Sequence, residues 1–242
     1  MPIPRIIHYC WFGGKPLSRK TARFIEDWQK VCPDFEIVCW NEQNCDVEEN
    51  EYVSGAHRCG KWAFVSDYFR LKALYEHGGI YLDTDVELLK PFGELMDLRG
   101  FMGFESKCDI ATCVMGGEKG HEFFRQALGA YSGRAFCDEN GAPDLTTNVQ
   151  ILTALLGGNG LSRDGTRQSA MGMEIFPRDY FSPRSLETGK LTVTANTRAI
   201  HWFDASWQTC SQRFHTRVAQ TLGKKNTERL KRLLGREQRK IP

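Results

Sequence analysis

The chain has 242 residues, 41% hydrophobic and 26% charged, an ordinary composition for a globular protein long enough to bury one large core. No apolar run approaches the roughly 18 residues that span a bilayer, and Met1 to Cys10 lacks the pattern of a signal peptide. The formal charge is +2, but ten Lys/Arg against two Glu from Arg213 onward put +8 on the tail and leave −6 on the residues before it.

In chain order, Ile3 to Phe12 is apolar and β-prone and breaks at Gly13-Gly14, which predicts a first strand opening into a loop. Ser18 is placed to cap a helix running to about Val31, with Phe24, Ile25 and Trp28 as its apolar stripe and Pro33 beyond its end. Phe35 to Trp40 reads as a second strand. Strand, helix and strand in succession form a βαβ unit and imply a parallel sheet. A helix is expected from about Lys61 to His77, stopped by Gly78-Gly79, followed by a strand Ile80–Leu82 that runs into Asp83-Thr84-Asp85. Further strands are expected at Phe101–Phe104, Thr112–Met115, Glu174–Phe176 and Ala199–Trp202, with helices at His121–Tyr131 and Asn148–Leu156. Gly157 to Gly172 reads as a mobile loop. From Phe214, leucines spaced among basic residues suit one or two amphipathic helices, so residues 1–212 and 213–242 divide into a main domain and a basic tail.

Nine cysteines are scattered without a Cys-x-x-Cys pair. This argues against a zinc ribbon or a thioredoxin-like motif. An odd number without a secretion signal favours a reducing compartment.

Asp83 and Asp85 are the first candidates for chemistry. In an extended segment, residues two apart point to the same side, so both carboxylates would meet just past a strand's carboxyl end, where open α/β sheets bind ligands. Such a pair suits Mg²⁺ or Mn²⁺ and a diphosphate. A surface turn with two solvated aspartates fits the triplet equally well. On the preceding helix, Lys61, Lys72 and Glu76 fall on one side, and Asp67 and Arg70 point away from it, towards the protein. They would form a buried ion pair or line a polar cavity near the Asp pair. Trp11, at the end of the first strand beside glycines, is placed either to stack on a nucleobase or to pack in the core. The segment Ile200 to Trp207 gathers His201, Trp202, Ser206 and Trp207, of which His201 could complete a metal shell. Thr146-Thr147-Asn148 opens a helix and could meet a pyrophosphate or an acceptor.

These stretches together resemble glycosyltransferase family 32, the DXD-containing sugar transferases. The resemblance rests on IPRIIHYCWFGG at Ile3–Gly14, Trp40-Asn41, AFVSDYFR at Ala63–Arg70, YEHGGIYLDTDVELLKP at Tyr75–Pro91 and IHWFDASW at Ile200–Trp207. It implies an α/β, GT-A-like nucleotide-sugar-binding fold with a mostly parallel central sheet and helical additions. It implies Mn²⁺ (or Mg²⁺) and retention of anomeric configuration. By the same resemblance, Trp11 would stack on the base and Asp67 and Arg70 would hold the sugar. Tyr81 and Asp83 would contact ribose or sugar, Asp85 would ligate the metal, and Ser206 and Trp207 would lie on the donor's phosphate side.

The expected partners are a nucleotide-sugar donor, UDP-hexose favoured, and a saccharide or lipid-linked saccharide acceptor. No nucleic acid is expected, and the basic tail is matched to an anionic membrane surface. The expected setting is cytoplasmic, on the inner membrane face, in polysaccharide or capsule biosynthesis. Two rivals belong to other classes. A non-catalytic sugar-binding module would not need Asp67, Arg70, Asp83 and Asp85 together. An aspartate-nucleophile phosphatase wants Thr or Val where Glu87 stands.

Overall fold

The computed structural model describes residues 2–204. Its elements run β1 (Ile6–Cys10), α1 (Arg19–Val31), β2 (Glu36–Trp40), α2 (Glu51–Arg58), α3 (Trp62–His77), β3 (Gly79–Leu82), β4 (Val86–Leu88), β5 (Gly100–Gly103), β6 (Val114–Gly117), α4 (Glu122–Gly129), α5 (Asn148–Gly157), β7 (Gln168–Ala170), β8 (Met173–Phe176) and β9 (Ala199–His201). Seven strands form one sheet in the order β2-β1-β3-β6-β5-β8-β7, and β4 pairs with β9 in a two-stranded ribbon. The pairs β1·β2, β1·β3 and β5·β8 are parallel, and those of β6 and β7 with their neighbours are antiparallel. Five of the seven strands therefore point one way, and the expected α/β class with a mostly parallel sheet is what forms.

The sheet divides two hydrophobic cores, and side-chain alternation assigns residues to each. Ile80, Leu82, Val114 and Phe101 face the core that α1 covers with Phe24 and Trp28. Tyr81, Met115 and Met102 face the opposite core, under α2, α3, α4 and α5. Ser18 caps α1 by accepting from the Thr21 amide, as expected. Trp28 is fully buried and donates from Nε1 to the Val86 carbonyl at 2.9 Å, which ties α1 to β4.

Three segments depart from expectation. Helix α2 was not foreseen; Asn50 caps it, accepting from the Val53 amide. Strand β7 forms inside the segment 157–172 expected to be a loop. Asp83 and Asp85 do not lie in an extended run: Thr84 and Asp85 form a turn, closed by the Val86 amide on the Asp83 carbonyl at 3.0 Å. No described helix is long and apolar enough to cross a membrane. Ser206, Trp207 and the basic tail lie outside the described residues.

Candidate active site

Strands β1, β3 and β5 share one direction, so their carboxyl ends reach the same edge of the sheet. Trp11 follows β1, Asp83 follows β3 and Glu105 follows β5 at that edge. The start of antiparallel β6 adds Thr112 and Cys113, and the Asp83 amide donates to the Cys113 carbonyl at 2.9 Å.

The turn after β3 reverses the chain into β4, and β4 pairs with β9 with Val86 opposite His201. That register carries a histidine from the far end of the described chain to the aspartate pair. His201 Nε2 lies 3.3 Å from Asp85 Oδ1. The other Asp85 oxygen accepts the Asp204 amide at 2.8 Å, and its carbonyl accepts the Trp202 amide at 3.1 Å. Phe203 adopts φ 54° between them, and its ring lies 3.9 Å from that of His201. Burial disfavours the Asp85 anion, but His201 and the Asp204 amide outweigh it and hold the carboxyl below its usual range. Burial likewise opposes charge on His201, yet Cys113 and Asp85 raise its pKa well above the ordinary imidazole value.

Asp67 and Arg70 are buried, as the helical face predicts. The Arg70 guanidinium serves two carboxylates, Asp67 at 3.1 Å and Asp83 at 3.2 Å. It also donates to the Thr112 carbonyl at 3.1 Å and hydroxyl at 3.2 Å, and its Nε to the Ser66 carbonyl at 3.3 Å. It packs 4.7 Å from the centre of the Tyr81 ring, whose hydroxyl donates to Asp83 at 2.9 Å. One cation between two acids leaves Asp67 undercompensated. Burial raises its pKa to about 6, with Arg70 opposing and Asp83 adding to the shift.

The sequence-predicted residues Asp67, Arg70, Tyr81, Asp83, Asp85 and His201 are thus brought together. Trp11 stands at the same edge, half-buried, its amide on the Trp40 carbonyl. Thr147 is occupied as the cap of α5 in a capping box with Gln150. Asn148 turns inward, giving its amide to Asp67 at 3.3 Å. Sequence reasoning missed Glu105, Thr112 and Cys113. Burial disfavours the Glu105 anion, His201 relieves this in part, and Asp83, Asp109 and Asp85 raise its pKa further, which puts it in electrostatic reach of the cluster. No local signal marks these three; only the pairing of β5 and β6 beside β3 recruits them.

Asp83, Asp85 and His201 each offer one donor atom, and these atoms lie within 4.8 Å of one another. His201 Nδ1 is buried with no hydrogen-bond partner. Two carboxylate oxygens with an imidazole nitrogen suit a small divalent ion such as Mn²⁺ or Mg²⁺.

Residues 18–101 match the family model described as glycosyltransferase sugar-binding region containing DXD motif. The chain is 31% identical over 137 residues to inositol phosphoceramide mannosyltransferase 3 of Schizosaccharomyces pombe, covering 52% of this chain and 36% of that protein. It is 28% identical over 129 residues to lactosylceramide 4-alpha-galactosyltransferase of Rattus norvegicus, covering 51% of this chain and 31% of that protein. The chain thus spans about a third of the length of these two curated relatives. Among solved structures, the galactosyltransferase LgtC in complex with donor and acceptor sugar analogs aligns with 12% identity over 90% of this chain and 94% of that one, at a TM-score of 0.45. The Asp83-Thr84-Asp85 motif lies inside the matched region, residues 18–101, and at the centre of the site's geometry.

Proposed function

We propose that the chain is a retaining, metal-dependent hexosyltransferase that uses a nucleotide-diphosphate sugar, UDP-sugar favoured, and a glycan or lipid-linked saccharide acceptor. The observation that carries this reading is the convergence of Asp83, Asp85 and His201 at one edge of the sheet, with the buried Asp67–Arg70 pair beside them. A divalent ion bound there would supply positive charge to neutralise the departing diphosphate.

Asp85 and His201 would hold that ion directly. Asp83, already accepting from Tyr81 and Arg70, would act from the ribose side or through water. Arg70 is engaged with protein groups through Nε, Nη1 and Nη2, so it acts as a positioning residue that aims Asp67 and Asp83. Asp67 keeps acceptor capacity for sugar hydroxyls, and Trp11 offers a ring for the base. In a retaining transfer of this kind, the acceptor oxygen bonds to the anomeric carbon as the carbon–phosphate-oxygen bond breaks. The acceptor proton passes to the leaving phosphate on the same face, so a covalent enzyme nucleophile is not required. Ser206 and Trp207 are proposed for the phosphate side, and the +8 tail for an anionic membrane surface on the cytoplasmic side.

The test is a thermal-shift panel of UDP- and GDP-sugars with and without Mn²⁺, followed by donor hydrolysis without acceptor. The expected result is a metal-dependent rise in Tm with one nucleotide and slow release of free sugar. Binding without any turnover would favour a sugar-binding module. No shift with either nucleotide would reject the donor assignment.

A further inference from the structure

Cys59 and Cys137 are 78 residues apart, yet their sulfurs lie 3.7 Å from each other at the surface. Cys59 is exposed and Cys137 half-buried. The contact is prepared on both sides. Tyr52, Gly55 and Cys59 are three and four residues apart in and just beyond α2, so they share one face of that helix. The facing segment 136–144 is closed on itself by the Asp138 amide on the Ala142 carbonyl at 3.0 Å and the Asp144 amide on the Phe136 carbonyl at 2.7 Å. Phe136 is fully buried, edge-on to Tyr52, with ring centres 5.5 Å apart. A Cβ at Gly55 would stand 3.0 Å from that of Phe136, so the glycine allows the close approach. Cys137 follows Phe136 directly and inherits its position. Arg134, bound to Asp144 at 2.6 Å, closes the base of the segment. Other cysteines, Cys10, Cys32 and Cys113, are buried within the cores.

We infer that Cys59 and Cys137 are a reversible thiol–disulfide pair, oxidised by a small disulfide of the glutathione class, that staples the segment 136–144 to α2. The exposed Cys59 thiolate attacks one sulfur of the oxidant, forming a mixed disulfide and releasing one thiolate. The Cys137 thiolate then attacks the Cys59 sulfur and releases the second. The two protein thiols lose two protons and two electrons, and one glutathione disulfide becomes two glutathiones. The sulfurs need close only to the roughly 2.05 Å bond length. The stapled segment leads into Thr147 and Asn148, and Asn148 donates to Asp67. The staple therefore stiffens a wall of the site without using any residue of the proposed metal cluster.

The full chain is reduced, freed of reductant, equilibrated with glutathione disulfide, quenched with acid and alkylated. Peptide mapping should recover a Cys59–Cys137 cross-link, reversed by dithiothreitol, in a protein lighter by two hydrogens. Cys59→Ser and Cys137→Ser should each lose the link and carry a glutathione adduct on the remaining partner. Hydrogen exchange across residues 136–148 should slow in the oxidised wild type and not in either variant. Free thiols at both positions under excess glutathione disulfide would overturn the inference, as would a bridge to any other cysteine, Cys210 included, or a mixed disulfide on Cys59 that never resolves. These readouts do not depend on the donor or on transfer activity.

Discussion

At His201 and Asp85, a proton on the imidazole and a metal ion would compete for the same place. Asp85 and Cys113 overcome the cost of burial and keep the imidazole protonated well above its ordinary range. A metal ligand must be the neutral ring, so binding has to expel that proton. Mn²⁺ affinity should therefore rise with pH, by about tenfold per unit while His201 stays protonated in the free protein. Isothermal titration of Mn²⁺ at pH 6 and pH 8 in two buffers of different ionisation enthalpy would reveal both the slope and the released proton. His201→Ala should weaken Mn²⁺ binding more than metal-free nucleotide binding and flatten the slope; an unchanged slope would remove His201 from the shell. Asp85→Ala should abolish metal binding and transfer while leaving a cooperative thermal transition. A melted protein would instead mean that the Asp204 and Trp202 amides need Asp85 to hold the late segment. The Asp pair and the inward Asp67–Arg70 face were legible in the sequence because they follow local rules of strand ends and helix periodicity. His201 was only suggested, and Glu105, Thr112 and Cys113 were silent, because strand pairing brings them in.

Among the elements, the passage from α3 to β3 sets where Asp83 emerges. Gly78 has φ 68°, and a Cβ there would meet the Lys119 backbone nitrogen at 2.6 Å. Gly79 has φ 97°, and its Cβ would meet the Ile6 carbonyl oxygen at 2.7 Å. Both contacts are with backbone, which cannot rotate away. Gly78→Ala should thus cost on the order of 3 kcal/mol, from left-handed strain plus the clash. Urea unfolding checks this, and a change below about 0.5 kcal/mol, within the range of an ordinary surface substitution, would show that the turn yields. The glycine pair was readable as a helix stop, and α1 and α3 were readable from caps and apolar spacing. Helix α2 escaped because Ser54, Gly55 and His57 are weak helix formers, and its stability comes from packing Tyr52, Val53 and Ala56 into the core. Strand β9 forms within the strand expected at Ala199–Trp202, whereas β4 and β7 have three residues each, too few to display an alternation. The turn at Asp83–Val86 was misread as extended for the same reason: it is fixed by the β4·β9 ribbon, whose partner lies over a hundred residues away.

On the scale of the whole molecule, the sheet separates two apolar cores, and Arg70 is a buried charge at the seam where α3, β3 and the start of β6 meet. The inward face of α3 that carries it was legible from helix periodicity; the packing of Tyr81 against it was not. The order of β6, β5 and β8 was not legible, because short apolar strands carry no record of their neighbours. Removing one partner of a buried pair typically costs about 3–5 kcal/mol, because the remaining charge is left unpaired. Arg70→Met should fall in that range, and Arg70→Lys should recover part of it, since an ammonium keeps the charge but not the fork that reaches both carboxylates. The pH dependence separates charge from packing. Asp67 has a folded pKa raised to about 6, above the ordinary carboxylate value. Its favourable contribution is therefore complete below that ordinary value and is lost as pH rises through about 6. Without Arg70, the pKa of Asp67 should climb further, and the penalty of ionising it should grow. The stability deficit of Arg70→Met relative to wild type should thus be largest near pH 8 and shrink towards pH 5, measured by urea midpoints with matched slopes. A deficit constant across that window would mean that Arg70 stabilises the seam by filling space against Tyr81 and Thr112, and that the two aspartates do not depend on its charge.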